Sequence, residues 1–249
     1  MRLRLTSALR SAVQFVFPWE CAFCGTDDHP DSQSQKPVCD ACRCALVAEL
    51  PNVCQRCGAR TGPYSDTHSG CIHCRGRRFF FESVVCLGMY EDALRNAVLG
   101  AKWSWSSCST TILAELLVES RRLQLQSINA DLIVPIPQAW NRRLTRHFNA
   151  AEVMADVVAR TLRVSVDRHL LRRKRRVGLQ KRVSLQERFA NQKNSFRVTH
   201  TPSVGGRRIL LVDDVLTTGA TCSEASRILR QSGAASCDVA VLGRVLGAR

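Results

Sequence analysis

The chain has 249 residues, of which 45% are hydrophobic and 23% charged, a balance that is typical of folded proteins and excludes global disorder. No apolar run approaches the roughly eighteen residues of a membrane-spanning helix. The formal net charge is +15, and residues 140–208 hold 18 lysine and arginine residues against four acidic ones. This concentration favours a polyanionic partner, either phosphate groups or nucleic acid, and its structural alternative is a solvated charged surface.

Residues 1–17 are basic, lack acidic side chains and have apolar residues spaced as in an amphipathic helix. A targeting peptide has a similar composition. However, Arg10, Ser11 and Gln14 interrupt the apolar stretch, and no small-residue cleavage site precedes the first cysteine. We therefore predict a short amphipathic helix over residues 1–17 that packs on the body of the protein.

The chain contains 13 cysteines. Without a secretory signal they favour metal binding in a reducing, cytoplasmic environment over a disulfide framework. Eight of them form four Cys-x-x-Cys pairs within a module predicted over residues 18–78, namely Cys21/Cys24, Cys39/Cys42, Cys54/Cys57 and Cys71/Cys74. Four thiolates around one ion select zinc and leave no open coordination position, so the sequence predicts structural zinc in a double zinc ribbon.

The spacing of these pairs leaves their connectivity open. Sequential pairing would form two zinc ribbons, whereas pairing the first with the third and the second with the fourth would form a cross-brace. The module would hold one or two zinc ions. Cys44, His68 and His73 are alternative ligands, and an iron–sulfur cluster is the less favoured alternative to zinc.

Residues 79–249 are predicted to form an α/β domain with a mainly parallel sheet, because strands alternate with helices along the chain. Short apolar runs predict strands over residues 83–87, 131–134, 208–212 and 237–242. Helical periodicity predicts helices over residues 91–102, 109–123, 149–162 and 220–231. Residues 168–182 have no apolar periodicity and are predicted to form a loop, and Ser184 with Glu187 fits a capping box that opens a brief helix.

A ligand-binding loop is predicted where the strand at residues 208–212 ends. Two adjacent carboxylates, Asp213 and Asp214, follow this strand, and ligands of open α/β sheets bind at the carboxyl ends of strands. A short string then leads into a helix; it consists of Thr217, Thr218, Gly219, Ala220 and Thr221. Backbone amides at a helix start suit a phosphate group and carboxylates suit sugar hydroxyls, so the string predicts binding of a ribose 5-phosphate. The structural alternative is an aspartate that caps a helix beside a polar turn.

This string resembles the phosphoribosyl-pyrophosphate (PRPP) motif of class I phosphoribosyltransferases, and the wider pattern resembles the ComF family of DNA uptake and utilisation proteins. The resemblance extends over nearly the whole chain. Besides the cysteine pairs and the loop, it is carried by Phe17, Pro18, Gly25, Lys102, Pro135, Pro137, Arg146, Phe148, Asn149, Gln180, Arg188 and Asn191. His147 departs from the family, which usually has glycine there, and a side chain at this position would narrow the approach of pyrophosphate to the backbone.

The resemblance implies roles for these residues. Asp213 and Asp214 would hold the ribose hydroxyls at the catalytic centre, the residues from Thr217 to Thr221 would hold the 5-phosphate, and Pro135 and Pro137 would lie near the pyrophosphate. Magnesium would accompany PRPP, and the basic segment at residues 168–182 would act as a hood over the site. Four cations are candidates for the leaving-group side, namely Lys102, Arg142, Arg143 and Arg146.

Two functions follow from these interpretations. The first is a magnesium-dependent phosphoribosyltransferase, a pentosyl-transfer enzyme of unspecified acceptor, associated with the machinery of DNA uptake. The second is a protein that keeps the fold without turnover and binds single-stranded DNA. Residues 168–182, with Arg168 and Arg182 at their ends, carry eight cations and would contact the phosphates. Trp103 and Trp105 are candidates for stacking on bases.

Overall fold

The structure is a computed structural model that describes residues 20–26, 37–47, 50, 52–65, 67, 70–103, 107–138, 148–174, 192, 194–199 and 204–246. The helix predicted over residues 1–17 and the brief helix predicted at Ser184 lie outside these residues. Within the described part of the chain, no helix is both long enough and apolar enough to span a membrane.

The described residues contain six strands and six helices. The strands are β1 (Val84–Met89), β2 (Leu132–Pro135), β3 (Leu171–Arg173), β4 (Phe196–Val198), β5 (Arg208–Leu216) and β6 (Ser236–Arg244). The helices are α1 (Asp40–Leu46), α2 (Asp92–Trp103), α3 (Cys108–Ser120), α4 (Arg122–Ser127), α5 (Ala150–Leu162) and α6 (Ala220–Gln231). All four strands and all four helices predicted for the described part of the α/β domain are present. The helix predicted over residues 109–123 is divided at Arg121 into α3 and α4.

A parallel sheet with the strand order β1-β6-β5-β2 forms the centre of the domain. Its inner strand β5 is buried on both faces because alternate residues enter two separate cores. Leu210 and Val212 pack with helices α3 and α5 on one face. Ile209 and Leu211 pack with helix α6 on the other face. This two-sided burial explains why the strand is apolar without alternation, and it confirms the predicted α/β fold class.

The order of the strands places a topological switch point between β2 and β5. After β2, the chain passes through α5 and returns beside β2 at Val166, which forms a parallel bridge with Ile133. The next strand of the sheet, β5, lies on the opposite side of β2. Ligand sites of open α/β sheets form in the crevice at the carboxyl ends of two strands that diverge in this way.

The prediction of a loop over residues 168–182 is wrong at its first part. Leu171–Arg173 form strand β3, which pairs antiparallel with β4 in a separate two-stranded sheet. Leu170, Leu171 and Phe196 are fully buried in the core on the α6 side of the large sheet. Two leucines flanked by charged residues give no periodicity, so only their tertiary burial reveals the strand. Residues 175–182 lie outside the described residues.

Candidate functional site

The eight cysteines of the Cys-x-x-Cys pairs form two clusters in sequential order. Cys21, Cys24, Cys39 and Cys42 make the first cluster, and Cys54, Cys57, Cys71 and Cys74 make the second. Within each cluster all four sulfur atoms lie within 4.8 Å of one another. The pairing that the spacing left open is therefore sequential, and the cross-brace alternative is wrong.

The sulfur atoms are spaced as zinc requires. A zinc–sulfur bond of about 2.3 Å in a tetrahedron separates neighbouring sulfur atoms by about 3.8 Å. The distances are 3.8 Å between Cys24 and Cys39, 3.8 Å between Cys54 and Cys74, and 3.6 Å between Cys57 and Cys71. The donor set and its spacing fit one structural zinc ion in each cluster. Cys44 is exposed and belongs to neither cluster.

The two clusters differ in their environment. All four cysteines of the second cluster are buried, whereas Cys24 of the first is exposed. The second cluster also contacts the α/β domain through its backbone, because the Val84 amide of β1 donates to the Gln55 carbonyl at 2.9 Å. Gly58 (φ +68°) lies so close to β1 that a Cβ atom there would be 2.9 Å from Val84 Cγ1. The second zinc ribbon is therefore fitted tightly against the edge of the sheet.

The residues predicted to bind a sugar phosphate lie at a notch where β5 extends beyond β2. Strand β2 ends at Pro135, which is in register with Val212. The last described hydrogen bond between these two segments joins the Ile136 amide, just after β2, to the Val212 carbonyl of β5 at 2.9 Å. Strand β5 continues for four residues to Leu216 and pairs there with β6. Asp213 and Asp214 thus lie within the strand rather than after it, and beside them β2 has already ended.

The two adjacent carboxylates of the notch have different partners. Asp214 forms an ion pair with Lys102 at 2.9 Å, and these side chains are 15% and 13% exposed. One Asp213 oxygen accepts a hydrogen bond from the Asp214 amide at 2.9 Å, and the other lies 4.0 Å from the buried Cys222 sulfur. Lys102, at the end of α2, also lies over the Tyr90 ring at 5.8 Å. Helix α2 therefore supplies the cation for one carboxylate, and the protein interior surrounds the other.

This arrangement changes the acidity of Asp213. Burial of its carboxyl group, followed by the charge of Asp214, raises the pKa of Asp213 from 3.8 to about 8, although Lys102 partly opposes the effect. The residue as a whole is partly exposed, but its carboxyl oxygens face the protein. With a pKa of about 8, this carboxyl group is mostly protonated at neutral pH, and added positive charge nearby would favour loss of the proton.

The loop after β5 enters helix α6 through a left-handed glycine. Gly219 has φ +81° and precedes the first residue of α6 as its N-cap, where it has no side chain to cap the helix. The Thr218 hydroxyl accepts from the Ala220 amide at 3.3 Å. Thr218 and Ala220 are buried, and Thr217 is exposed. The amides at this helix start and the hydroxyls beside them form a cradle of the kind that binds phosphate.

Aromatic side chains from the segment after the second ribbon lie behind this cradle. Phe79 and Phe81 stack with their ring centroids 4.7 Å apart. A Cβ atom at Gly219 would lie 3.0 Å from the Phe79 ring. The Phe80 amide donates to the Ser223 hydroxyl of α6 at 3.2 Å. The positive φ and this contact both explain why glycine stands at position 219.

The structure brings together some predicted site residues and does not describe others. Pro135 and Pro137 lie at the end of β2, beside the two carboxylates. Lys102, a candidate for the leaving-group side, forms an ion pair with Asp214. Arg142, Arg143, Arg146 and His147 lie outside the described residues. The described residues that flank this gap are in contact with each other: the Gln138 side chain donates to the Phe148 carbonyl at 2.9 Å.

Sequence analysis missed one residue beside the loop, Arg244 at the end of β6. It is 3% exposed and donates to the Leu216 carbonyl at 3.1 Å and to the Thr217 carbonyl. Its Nε also donates to the Cys57 carbonyl of the second zinc ribbon at 2.7 Å. The one sequence signal was an arginine directly after an apolar strand, which more often marks a solvent-exposed strand end.

Comparisons with known proteins identify a family and relatives that this chain resembles. The family described as "Phosphoribosyl transferase domain" matches residues 148–246. The DNA utilization protein YhgH of Escherichia coli (strain K12) is 30% identical over 214 residues, which cover 84% of this chain and 91% of that protein. Competence protein F of Haemophilus influenzae (strain ATCC 51907 / DSM 11121 / KW20 / Rd) is 25% identical over 232 residues, which cover 92% of this chain and 98% of that protein.

A solved structure of glutamine phosphoribosylpyrophosphate (PRPP) amidotransferase from B. subtilis aligns with a TM-score of 0.32 and 22% sequence identity. The alignment covers 50% of this chain and 26% of that one. The fold is therefore established by the sheet topology and the matching family rather than by this alignment.

Replacing one ligand of the second cluster should remove one zinc ion and leave the other. We expect metal analysis to find two zinc ions per chain in the wild type and one in Cys54→Ser, because a hydroxyl is a poor substitute for a thiolate. The matched control is Cys44→Ser, which should keep two because Cys44 lies outside both clusters. Two zinc ions in Cys54→Ser would contradict the assignment.

Stability should depend on pH through Asp213. Its pKa is raised to about 8 in the folded chain, so between about pH 4 and pH 8 the folded chain holds a proton that the unfolded chain has released, and the free energy of unfolding falls as pH rises. Asp213→Asn removes this effect, and we expect it to be more stable than the wild type at pH 8, on the order of a few kcal/mol, and to converge with it towards pH 4. Urea unfolding at several pH values measures this difference.

Asp131→Asn is the matched control for this experiment, with the opposite sign. A hydrogen bond from Arg208 lowers the pKa of Asp131 to about 2. The stability that Asp131 contributes is therefore present above about pH 4 and lost as pH falls through 2, so this variant should be the less stable one at neutral pH. A constant difference between Asp213→Asn and the wild type at all pH values would contradict the raised pKa.

Proposed function

We infer the function of this chain from the premise that it belongs to the ComF family, together with YhgH and Competence protein F, and carries the phosphoribosyltransferase domain of that family. We propose that it binds PRPP with magnesium in the notch between β2 and β5, and that it acts in DNA uptake or utilisation. The observation that carries the proposal is the joint placement of the paired carboxylates and the left-handed Gly219 in one notch at the switch point of the sheet.

The donors and acceptors of the notch match the two ends of a phosphorylated ribose. The amides that start α6, with the Thr218 hydroxyl, would donate to the 5-phosphate. Asp213 and Asp214 would accept from the ribose hydroxyls, which are neutral donors that a carboxylate can bind without a second cation. Lys102 holds Asp214 in position through an ion pair of 2.9 Å. The sugar is thereby fixed at both ends.

Magnesium would supply charge neutralisation at the pyrophosphate, whose oxygens provide most of its ligands. The acidic pair fits a site near such an ion, because the proton on Asp213 is held by burial and by Asp214 and can be displaced by added positive charge. The chain itself would orient the ribose and exclude water from its C1 carbon. Breaking the bond from C1 to pyrophosphate would leave an oxocarbenium-like sugar for an acceptor to attack.

A second candidate function, binding of single-stranded DNA, is favoured by a specific feature of the small sheet. Arg172 of β3 and Arg197 of β4 are directly opposite each other, and like charges in such a pair destabilise a sheet. An anion between them would remove the repulsion. Arg172 also lies 2.9 Å from His169 Nδ1, a contact that supplies no negative charge. Among the other described arginines of the basic segment, Arg168 pairs with Asp156, and Arg173 lies over the Phe196 ring at 5.0 Å. The names of YhgH and Competence protein F also support a link to DNA.

Calorimetry with PRPP and magnesium tests the first function. We expect heat of binding in the wild type and a loss of affinity of at least about tenfold in Asp213→Asn/Asp214→Asn, because the ribose hydroxyls lose charged acceptors. Asp131→Asn removes the same charge at the opposite end of the same strand pair, and it should bind as the wild type does. Absence of heat in the wild type would refute ligand binding.

A salt titration of single-stranded DNA binding tests the second function. We expect Arg172→Gln/Arg197→Gln to weaken binding and to reduce the slope of log affinity against log salt by about 1.4, the value for two lost phosphate contacts on single strands. Arg122→Gln/Arg207→Gln is the matched control, because both arginines are exposed and lie outside the small sheet. Equal slopes in the two double variants would rule out the arginine pair as the DNA contact.

A further inference from the structure

Arg244 is a buried cation whose hydrogen bonds all go to backbone carbonyls. Its guanidinium donates to Cys57 at 2.7 Å, to Leu216 at 3.1 Å, and to Thr217 and Val245. Within the described residues it forms no ion pair. A buried guanidinium without a carboxylate is costly, and its carbonyl partners offset part of that cost. An apolar side chain would fill the same space without this penalty, so what the arginine adds is the connection between its partners.

One end of this connection is a carbonyl that zinc holds in place. Cys57 is a cysteine of the second cluster, and its carbonyl lies in the tight turn in which the Gly58 amide donates to the Cys54 carbonyl at 2.8 Å. The cluster packs few residues besides its own cysteines. Such a small module depends on its metal for folding. The position of the Cys57 carbonyl therefore depends on the zinc ion.

The other end is the start of the proposed phosphate loop. Leu216 and Thr217 directly precede Thr218 and Gly219, and the Leu216 carbonyl also accepts from the Val245 amide at 2.9 Å. Arg244 is in register with Leu216 across β5 and β6. It therefore fixes the point where the loop leaves the sheet. Displacing a positioned group by about 1 Å is enough to weaken a ligand contact considerably.

We propose that Arg244 is a positioning residue that couples zinc in the second ribbon to binding at the sugar-phosphate loop. This inference rests on the proposed PRPP site. By thermodynamic reciprocity, the ligand must then strengthen zinc retention as much as zinc strengthens ligand binding. The first cluster serves as an internal comparison, because its cysteines pack with the core on the α3 and α5 side of the sheet and not with the loop.

The test compares PRPP affinity, measured by calorimetry with magnesium, in full-length variants. We expect Cys54→Ser/Cys57→Ser and Arg244→Met each to bind about tenfold more weakly than the wild type, within the usual range of coupling between sites. Cys21→Ser/Cys24→Ser, which removes the first zinc site, should bind as the wild type does. Arg244→Lys keeps the charge but not the fork of donors, so it should recover only part of the loss.

The reciprocal measurement is made first on the wild type, and this part of it does not depend on how any variant folds. At equilibrium with a colorimetric chelator, zinc should be released in two phases as the chelator concentration rises, and PRPP with magnesium should increase the apparent zinc affinity of one phase about tenfold. In Arg244→Met, PRPP should change neither phase. Far-UV circular dichroism checks that each variant keeps its secondary structure.

The outcomes separate this inference from the proposed function. No PRPP heat in the wild type overturns the proposed function and the coupling with it. PRPP binding in the wild type with unchanged affinity in Arg244→Met, or with no effect of PRPP on zinc extraction, overturns the coupling alone. Equal losses of affinity in the two zinc-site double variants would also overturn it, because the coupling is specific to the second ribbon.

Discussion

The candidate site depends on an unequal length of two neighbouring parallel strands. Strand β2 ends at Pro135 and is followed by Pro137, and proline lacks the amide that a ladder requires. Strand β5 continues to Leu216 because β6 still pairs with it. The part of β5 that extends beyond β2 carries Asp213 and Asp214, whose carboxylates lie next to Cys222 and Lys102, respectively. The connections that follow β2 and β5 run towards opposite edges of the sheet, so neither of them fills the space between these two strands.

The acidic pair is placed where it reduces stability, and the surrounding sheet compensates. Burial of the Asp213 carboxyl group and the neighbouring charge of Asp214 raise the pKa of Asp213 to about 8, and Lys102 opposes this effect only in part. Below this segment, Leu210 and Val212 on one face and Ile209 and Leu211 on the other are wholly buried. The acidic pair thus directly follows four fully buried residues of the same strand, which hold the carboxylates in position.

Much of this arrangement could be predicted from the sequence because its signals are local. The apolar run before Asp213 and the Thr217–Gly219–Thr221 string are contiguous, and the cysteine pairs are regularly spaced. The pairing of the clusters could not be predicted, since both connectivities satisfy the same spacing. Strand β3 was missed because its identity comes from the burial of Leu171 against distant residues. Arg244 was missed because a buried cation between carbonyls resembles, in sequence, any charged strand end.

The position of the second ribbon changes the interpretation of the zinc module. Its cysteines alone suggest an accessory domain with a closed, structural metal. In the structure, Gln55 extends the hydrogen bonding of β1 and Gly58 touches Val84, while Phe79, beyond the last cysteine, lies against Gly219. Two separate contacts, one aromatic and one through a guanidinium, therefore join the ribbon to the loop that starts α6. Under the proposed coupling, zinc in the second ribbon would take no part in chemistry but would influence the position of the loop that starts α6, because the ribbon and the loop share one packed boundary.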